Sequence, residues 1–224
     1  MSEAEVRGYY ERSKLWNEEA PVPHTMMMRL LANNAIRLAP EADAHLRIAE
    51  VGSLPGREAA SVLGGAIYYH IEDEHAPDDV LFHDILSGRL PEDYGVVVAG
   101  LLLQEFDQPD DLLLAIKHLS ESASYLVVSY FSELLHGVWS ADTILPPGMV
   151  RPTTIRGHLQ DVASCVERID MEWAARHEYV EDAYLKYARN AKKMRDPREW
   201  RYTYGSTDDE GYRIKLSFET WRIK

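Results

Sequence analysis

Five short runs of nearly continuous hydrophobicity, Leu46 to Val51, Ala66 to Ile71, Val80 to His83, Gly95 to Ala99 and Tyr125 to Tyr130, restrict what this chain can become. A strand with one face in water alternates apolar and polar residues, whereas a strand covered on both faces reads apolar throughout. The second pattern belongs to parallel sheets lying between helical layers. Parallel strands cannot be joined by tight hairpins, and the intervening sequence has helix character in at least two places. Arg57 to Leu63 runs into the paired Gly64 and Gly65, and Asp110 to Leu119 follows Pro109 with acidic residues in its first turn, as a helix N-terminus favours. The expected fold is therefore α/β with a mostly parallel sheet.

The flanks differ from this centre. Glu3 to Trp16 and Met26 to Ala39 carry helical apolar spacing, the second capped by Thr25 and stopped by Pro40, so residues 1–40 form a helical preamble. After Tyr130 the pattern predicts a helix over Thr154 to Ile169, a strand over Asp170 to His177 and a strongly charged helix over Val180 to Arg195. Gly211 to Trp221 places Tyr212, Ile214, Leu216 and Phe218 at alternate positions, as a half-buried strand does, so an antiparallel C-terminal strand is expected to finish the sheet.

A length of 224 residues with 46% hydrophobic content supports one sizeable core, placed in a domain over 41–224 with an insertion around 178–210. The formal net charge of −13 repels phosphate backbones and anionic lipid, which favours a small-molecule ligand over nucleic acid or a membrane surface. Cys165, the single cysteine, excludes an intrachain disulfide and any multi-cysteine metal centre; no metal is expected, and a reducing cytoplasm fits. Met1 to Glu11 is polar and acidic, and the longest apolar run, Val96 to Leu103, is far short of a bilayer span, so the expectation is a soluble cytoplasmic protein.

The stretch "LRIAEVGSLPG", Leu46 to Gly56, ends its strand in Glu50 and then turns on Gly52 and Gly56. Glycine lets a backbone approach a bound molecule, and a carboxylate at a strand's end accepts a hydrogen bond from it; an ordinary strand-to-helix turn with a solvated Glu has the same appearance. With the order of elements, this turn resembles the class I S-adenosylmethionine-dependent methyltransferases, at motif level over roughly Glu41 to Ser132. The family's first motif is matched at Glu50, Gly52 and Gly56, with Ser53 inside the turn; Leu54 stands in place of the middle glycine, and Pro55 removes a backbone donor. For the second motif, "IYYHIEDEH" supplies Glu72 as the group implied to hold the ribose hydroxyls, with Asp73 as its rival. "VLFHDI" supplies Asp84 for the adenine amine and Ile85 for the ring face. Tyr94 to Phe106 resembles the family's fourth strand and its following helix, which implies that the segment Gly100 to Leu103, with Gly100 and Leu101 as its site residues, lies beside the cofactor, and Leu126 to Ser132 resembles the fifth strand. The resemblance implies a Rossmann-like sheet, S-adenosylmethionine as cofactor, and methyl transfer to an oxygen or nitrogen of a small-molecule acceptor.

An alcohol or phenol acceptor would need a base, for which His24 and His136 are candidates; a surface or satisfied histidine is the alternative at each. Tyr9, Tyr10 and Trp16 form an aromatic group in the preamble, read either as amphipathic packing or as a lid that brings Tyr10 over the cofactor. The basic and aromatic strip from Tyr184 to Tyr202 reads either as a nucleic-acid strip or, as the acidic chain favours, as a solvated helix face, with a pocket wall or a homodimer contact as further uses. Two other readings stand beside methyl transfer. One is a binding protein for S-adenosylmethionine or S-adenosylhomocysteine that has lost transfer chemistry. The other is a nicotinamide-dependent oxidoreductase, whose G-x-G-x-x-G fingerprint "GSLPGRE" does not supply.

Overall fold

The computed structural model describes residues 22–38, 48–52, 65–69, 80–106, 108–135, 150–175 and 212–224. Among these, seven strands form one sheet: β1 (Ile48–Val51), β2 (Ala66–Tyr69), β3 (Val80–Phe82), β4 (Tyr94–Gly100), β5 (Ala123–Leu135), β6 (Ala163–Ala175) and β7 (Tyr212–Ile223). Their order is β3-β2-β1-β4-β5-β7-β6. The first five run parallel, and β7 is antiparallel to both β5 and β6, as the alternating pattern of its sequence requires. All five central runs are strands in the expected places, with β5 continuing to Leu135.

Helices cover both faces. Helix α2 (Pro109–Ser120) buries Leu112, Ala115, Ile116 and Leu119, and α3 (Pro152–Val162) buries Ile155 and Leu159. These join Val97, Ala99, Leu126 and Val128 in one core. The alternate strand residues Val96, Val98 and Val127 point to the opposite face and are equally buried. There α1 (Val22–Leu38) packs on β4, β5 and β7 and buries Met28, Leu31, Ala32 and Ala35, the spacing of a single helical stripe. Helix α1, which lies within the expected preamble of residues 1–40, is thus fixed to the sheet. No described helix is long and apolar enough to cross a membrane.

Two boundaries differ from expectation. Helix α1 begins at Val22, so Thr25 lies within its first turn rather than capping it; Pro23 is tolerated there because the first helical N–H groups have no partner in any case. The helix expected over Thr154 to Ile169 stops at Val162, and Ala163 to Ala175 is the edge strand β6, which takes in the start of the strand expected from Asp170. Ser164, Cys165 and Val166 are exposed, so the first half of this strand carries no buried alternation to betray it, and pairing with β7 from Ala163 to Ala175 sets its conformation. Residues 1–21, Arg57 to Leu63, Val180 to Arg195 and the insertion around 178–210 lie outside the described residues.

The antiparallel wing encloses a charge. Glu219 of β7 is completely buried; Trp221 Nε1 donates to its Oε2 at 2.9 Å, and Arg168 Nε and Arg156 Nε lie 3.6 and 3.8 Å from its Oε1. The Tyr130 hydroxyl faces the same carboxylate. Arg168 also pairs with Asp170 at 3.1 Å, and the Ser217 hydroxyl donates to Asp170 Oδ1 at 2.6 Å. Burial pushes the Glu219 carboxyl above its ordinary 4.5, against the opposing pull of Tyr130, Trp221 and Arg168. A carboxyl whose pKa is raised on folding contributes its stability in full below its unfolded pKa and loses it as pH rises through the folded value. Glu219→Gln should therefore gain on the wild type in urea denaturation as pH is raised from about 4.5. A stability difference that does not change with pH would show that Glu219 is not the titrating group.

Candidate active site

Strands β1 and β4 are neighbours, yet the chain leaves β1 toward β2 and leaves β4 toward β5. The connections diverge, and a parallel sheet opens a crevice at the C-terminal ends of two such strands. At the end of β1, Glu50 is 6% exposed and Gly52 has φ +139°. That backbone conformation is glycine's. The Gly52 N–H donates to the Tyr68 carbonyl at 3.2 Å, and a Cβ on Gly52 would stand 3.2 Å from the Leu102 Cβ. The bare backbone of the β1 turn thus receives the turn after β4.

That second turn is the more unusual. Leu101 has φ +55°, a left-handed conformation that costs a leucine on the order of 1 to 2 kcal/mol. Its N–H is shared by two acceptors of one residue, the Ser129 carbonyl at 3.0 Å and the Ser129 Oγ at 3.1 Å. Gly100 and Leu101 remain partly exposed, while Leu102 and Leu103 turn inward and Leu103–Glu105 closes as a single 3₁₀ turn.

The third wall comes after β3. Asp84 Oδ1 accepts the Leu86 N–H at 2.9 Å, and the Asp84 carbonyl accepts the Ser87 N–H at 3.0 Å and the Ser87 hydroxyl at 2.7 Å. This is an Asp-capped turn, and it uses one of the two carboxylate oxygens. Ile85 is completely buried, and His118 Nδ1 donates to its carbonyl at 2.7 Å, so its side chain is core beneath the turn instead of an open apolar face. A buried hydroxyl pair, Tyr68 to Tyr94 at 2.6 Å, braces β2 against β4, with the Tyr68 ring edge-on to His83.

Of the residues expected from sequence, Glu50, Gly52, Asp84, Gly100 and Leu101 therefore lie at the ends of β1, β3 and β4 along one edge of the sheet. Ser53, Gly56, Glu72, Tyr10 and His136 lie outside the described residues; His24 is in the first turn of α1, and its side chain is outside them too. Leu102 lies in the segment expected beside the cofactor, whereas Ser129 and the Tyr68–Tyr94 pair were not singled out from sequence. A signal existed for Ser129, since a serine inside an apolar run buried on both faces needs a hydrogen-bond partner.

No protein-family profile and no curated protein sequence matches the chain. Solved structures do. A protein from Bacillus halodurans assigned as a methyltransferase superposes with a TM-score of 0.52 at 9% identity, over 85% of this chain and 97% of that one. YcgJ from Bacillus subtilis gives 0.50 at 10% identity, over 87% and 97%. The N-methyltransferase NodS from Bradyrhizobium japonicum, solved with S-adenosyl-L-homocysteine, gives 0.47 at 13%, over 94% and 97%. The chain has the class I methyltransferase fold. Within this methyltransferase fold, the crevice at β1 and β4 is built from two backbone turns that touch, and Gly52 is where they touch. Gly52→Ala should destabilise the protein by roughly 1 to 3 kcal/mol, through both the forced positive φ and the contact with Leu102. An unchanged melting temperature would mean that the two turns separate without cost.

Proposed function

We propose that this protein is an S-adenosylmethionine-dependent methyltransferase acting on an oxygen or nitrogen atom of a small-molecule acceptor. The observation that carries the reading is the meeting of the Gly52 and Leu101 turns at the β1–β4 crevice, with the carboxylates of Glu50 and Asp84 on the same sheet edge. Those residues suit an adenosyl sulfonium ligand: carboxylates accept hydrogen bonds from its hydroxyl and amine groups and favour its positive charge. When bound, S-adenosylmethionine supplies an activated methyl group.

The remaining chemistry falls to this chain. Gly52, with Ser53 and Gly56, offers backbone close to the ligand; Glu72, or its neighbour Asp73, holds the ribose; Asp84 takes the adenine amine over the core formed by Ile85. Gly100 and Leu101 border the methionyl part, and Tyr10, on a lid drawn from residues 1–21, closes over it. Methyl transfer is an in-line displacement, so the main contribution of these groups is alignment and exclusion of water. His24 or His136 takes the proton when the acceptor is a hydroxyl. The acidic surface favours a small cytoplasmic metabolite over nucleic acid, and the insertion around 178–210 walls the acceptor pocket or joins two copies. Leu54 and Pro55 in the first motif favour a second reading, a protein that binds the cofactor without transferring the methyl group.

Calorimetry and thermal melting with S-adenosylhomocysteine, and with NAD as the contrast, test the cofactor. Ligand at a hundred times its dissociation constant should stabilise the protein by about 2.7 kcal/mol. No heat and no shift at millimolar S-adenosylhomocysteine would overturn the reading, and a turnover screen of small acceptors separates enzyme from binding protein. If Glu72 holds the ribose, Glu72→Ala weakens binding by roughly 1.5 to 3 kcal/mol and Asp73→Ala by much less. The reverse order would place the end of the second strand one residue further on.

A further inference from the structure

We infer that Ser129 is a positioning residue for the cofactor crevice: it holds the Leu101 amide from two sides and so keeps the Gly100–Leu101 turn in the shape that borders the ligand. This rests on the functional reading above. The ladder between β4 and β5 ends at the pair Gly100 and Ser129, and an ordinary strand would carry Leu101 onward beside Tyr130. Instead φ swings to +55°, and the chain leaves the sheet plane at the crevice. A glycine would adopt this backbone unaided; a leucine does so when its surroundings hold it there.

The holding group is identifiable. The Leu101 N–H lies 3.0 Å from the Ser129 carbonyl and 3.1 Å from the Ser129 Oγ, and both acceptors belong to a completely buried residue. The consequence reaches β1. With Leu101 turned, Leu102 enters the core and its Cβ seats against the bare backbone of Gly52, so the hydroxyl on β5 sets the distance between the two turns that bound the crevice. An extended residue 101 would aim Leu102 elsewhere and leave Gly52 without its neighbour.

The test uses the full chain. Ser129→Ala removes the side-chain acceptor and leaves the carbonyl; S-adenosylhomocysteine affinity should fall about threefold to tenfold, the worth of one buried hydrogen bond. Exchange of the Leu101 amide in the ligand-free protein should quicken. Ser129→Thr keeps an acceptor and should retain affinity. In a Leu101→Gly background Ser129→Ala should cost no further affinity, because glycine needs no clamp for this backbone. Unchanged affinity and exchange in Ser129→Ala overturn the inference, and so does a loss that is equally large in the Leu101→Gly background and tracks the melting temperature, which would make Ser129 a packing residue only. Failure of the wild-type protein to bind S-adenosylhomocysteine overturns the functional reading and the cofactor role with it, while Leu101 amide exchange still decides whether the clamp exists.

Discussion

The parallel pairing of β1 with β4 is the interaction on which the rest of the structure depends. Ile48, Ala49 and Glu50 lie against Val96, Val97 and Val98, and the five apolar members of this set are almost completely buried. Their registry is the point from which the sheet grows in two directions, β2 and β3 to one side and β5 to the other. Because the chain departs both ways from one seam, the ends of β1 and β4 are left without a connection across them. The crevice at this seam is a product of topology before any side chain is considered.

What the side chains add is shape. Two turns with positive φ, at Gly52 and Leu101, bring backbone to the mouth of the seam, and each is stabilised by a different part of the protein: β2 through the Tyr68 carbonyl, β5 through Ser129. Asp84 organises its own turn after β3, and the Tyr68–Tyr94 hydroxyl pair ties the strands beneath. The proposed methyl transfer, whose chemistry is mainly alignment, would benefit from such fixed supports, since misplacement of reacting atoms by an ångström is costly.

The antiparallel wing is built differently. The central strands are apolar on both faces, whereas β5, β6 and β7 surround Glu219 with a phenol, Arg168 and an indole N–H, and α3 adds Arg156. Buried ion pairs add little net stability over apolar packing, but removal of the partners leaves the Glu219 carboxylate, the fully buried member, without compensation. The wing is therefore held in part by a few polar groups that depend on one another.

The near-continuous hydrophobicity of five segments determined that they would be strands covered on both faces, and the short alternation from Tyr212 to Phe218 determined the character of the last one. Glu50, Gly52, Asp84 and Gly100 were legible as candidate residues because strand ends and glycine turns are local features. Tertiary structure alone decided the strand order, the conversion of Ala163 to Ile169 from expected helix to edge strand, the burial of Ile85, and the left-handed backbone of Leu101. The division has one physical cause. Hydrophobic pattern reports how each residue is to be solvated, and a chain carries that information locally. A pairing partner, or a backbone angle held against its own preference, depends on atoms distant in sequence, as Leu101 depends on a serine on the adjacent strand.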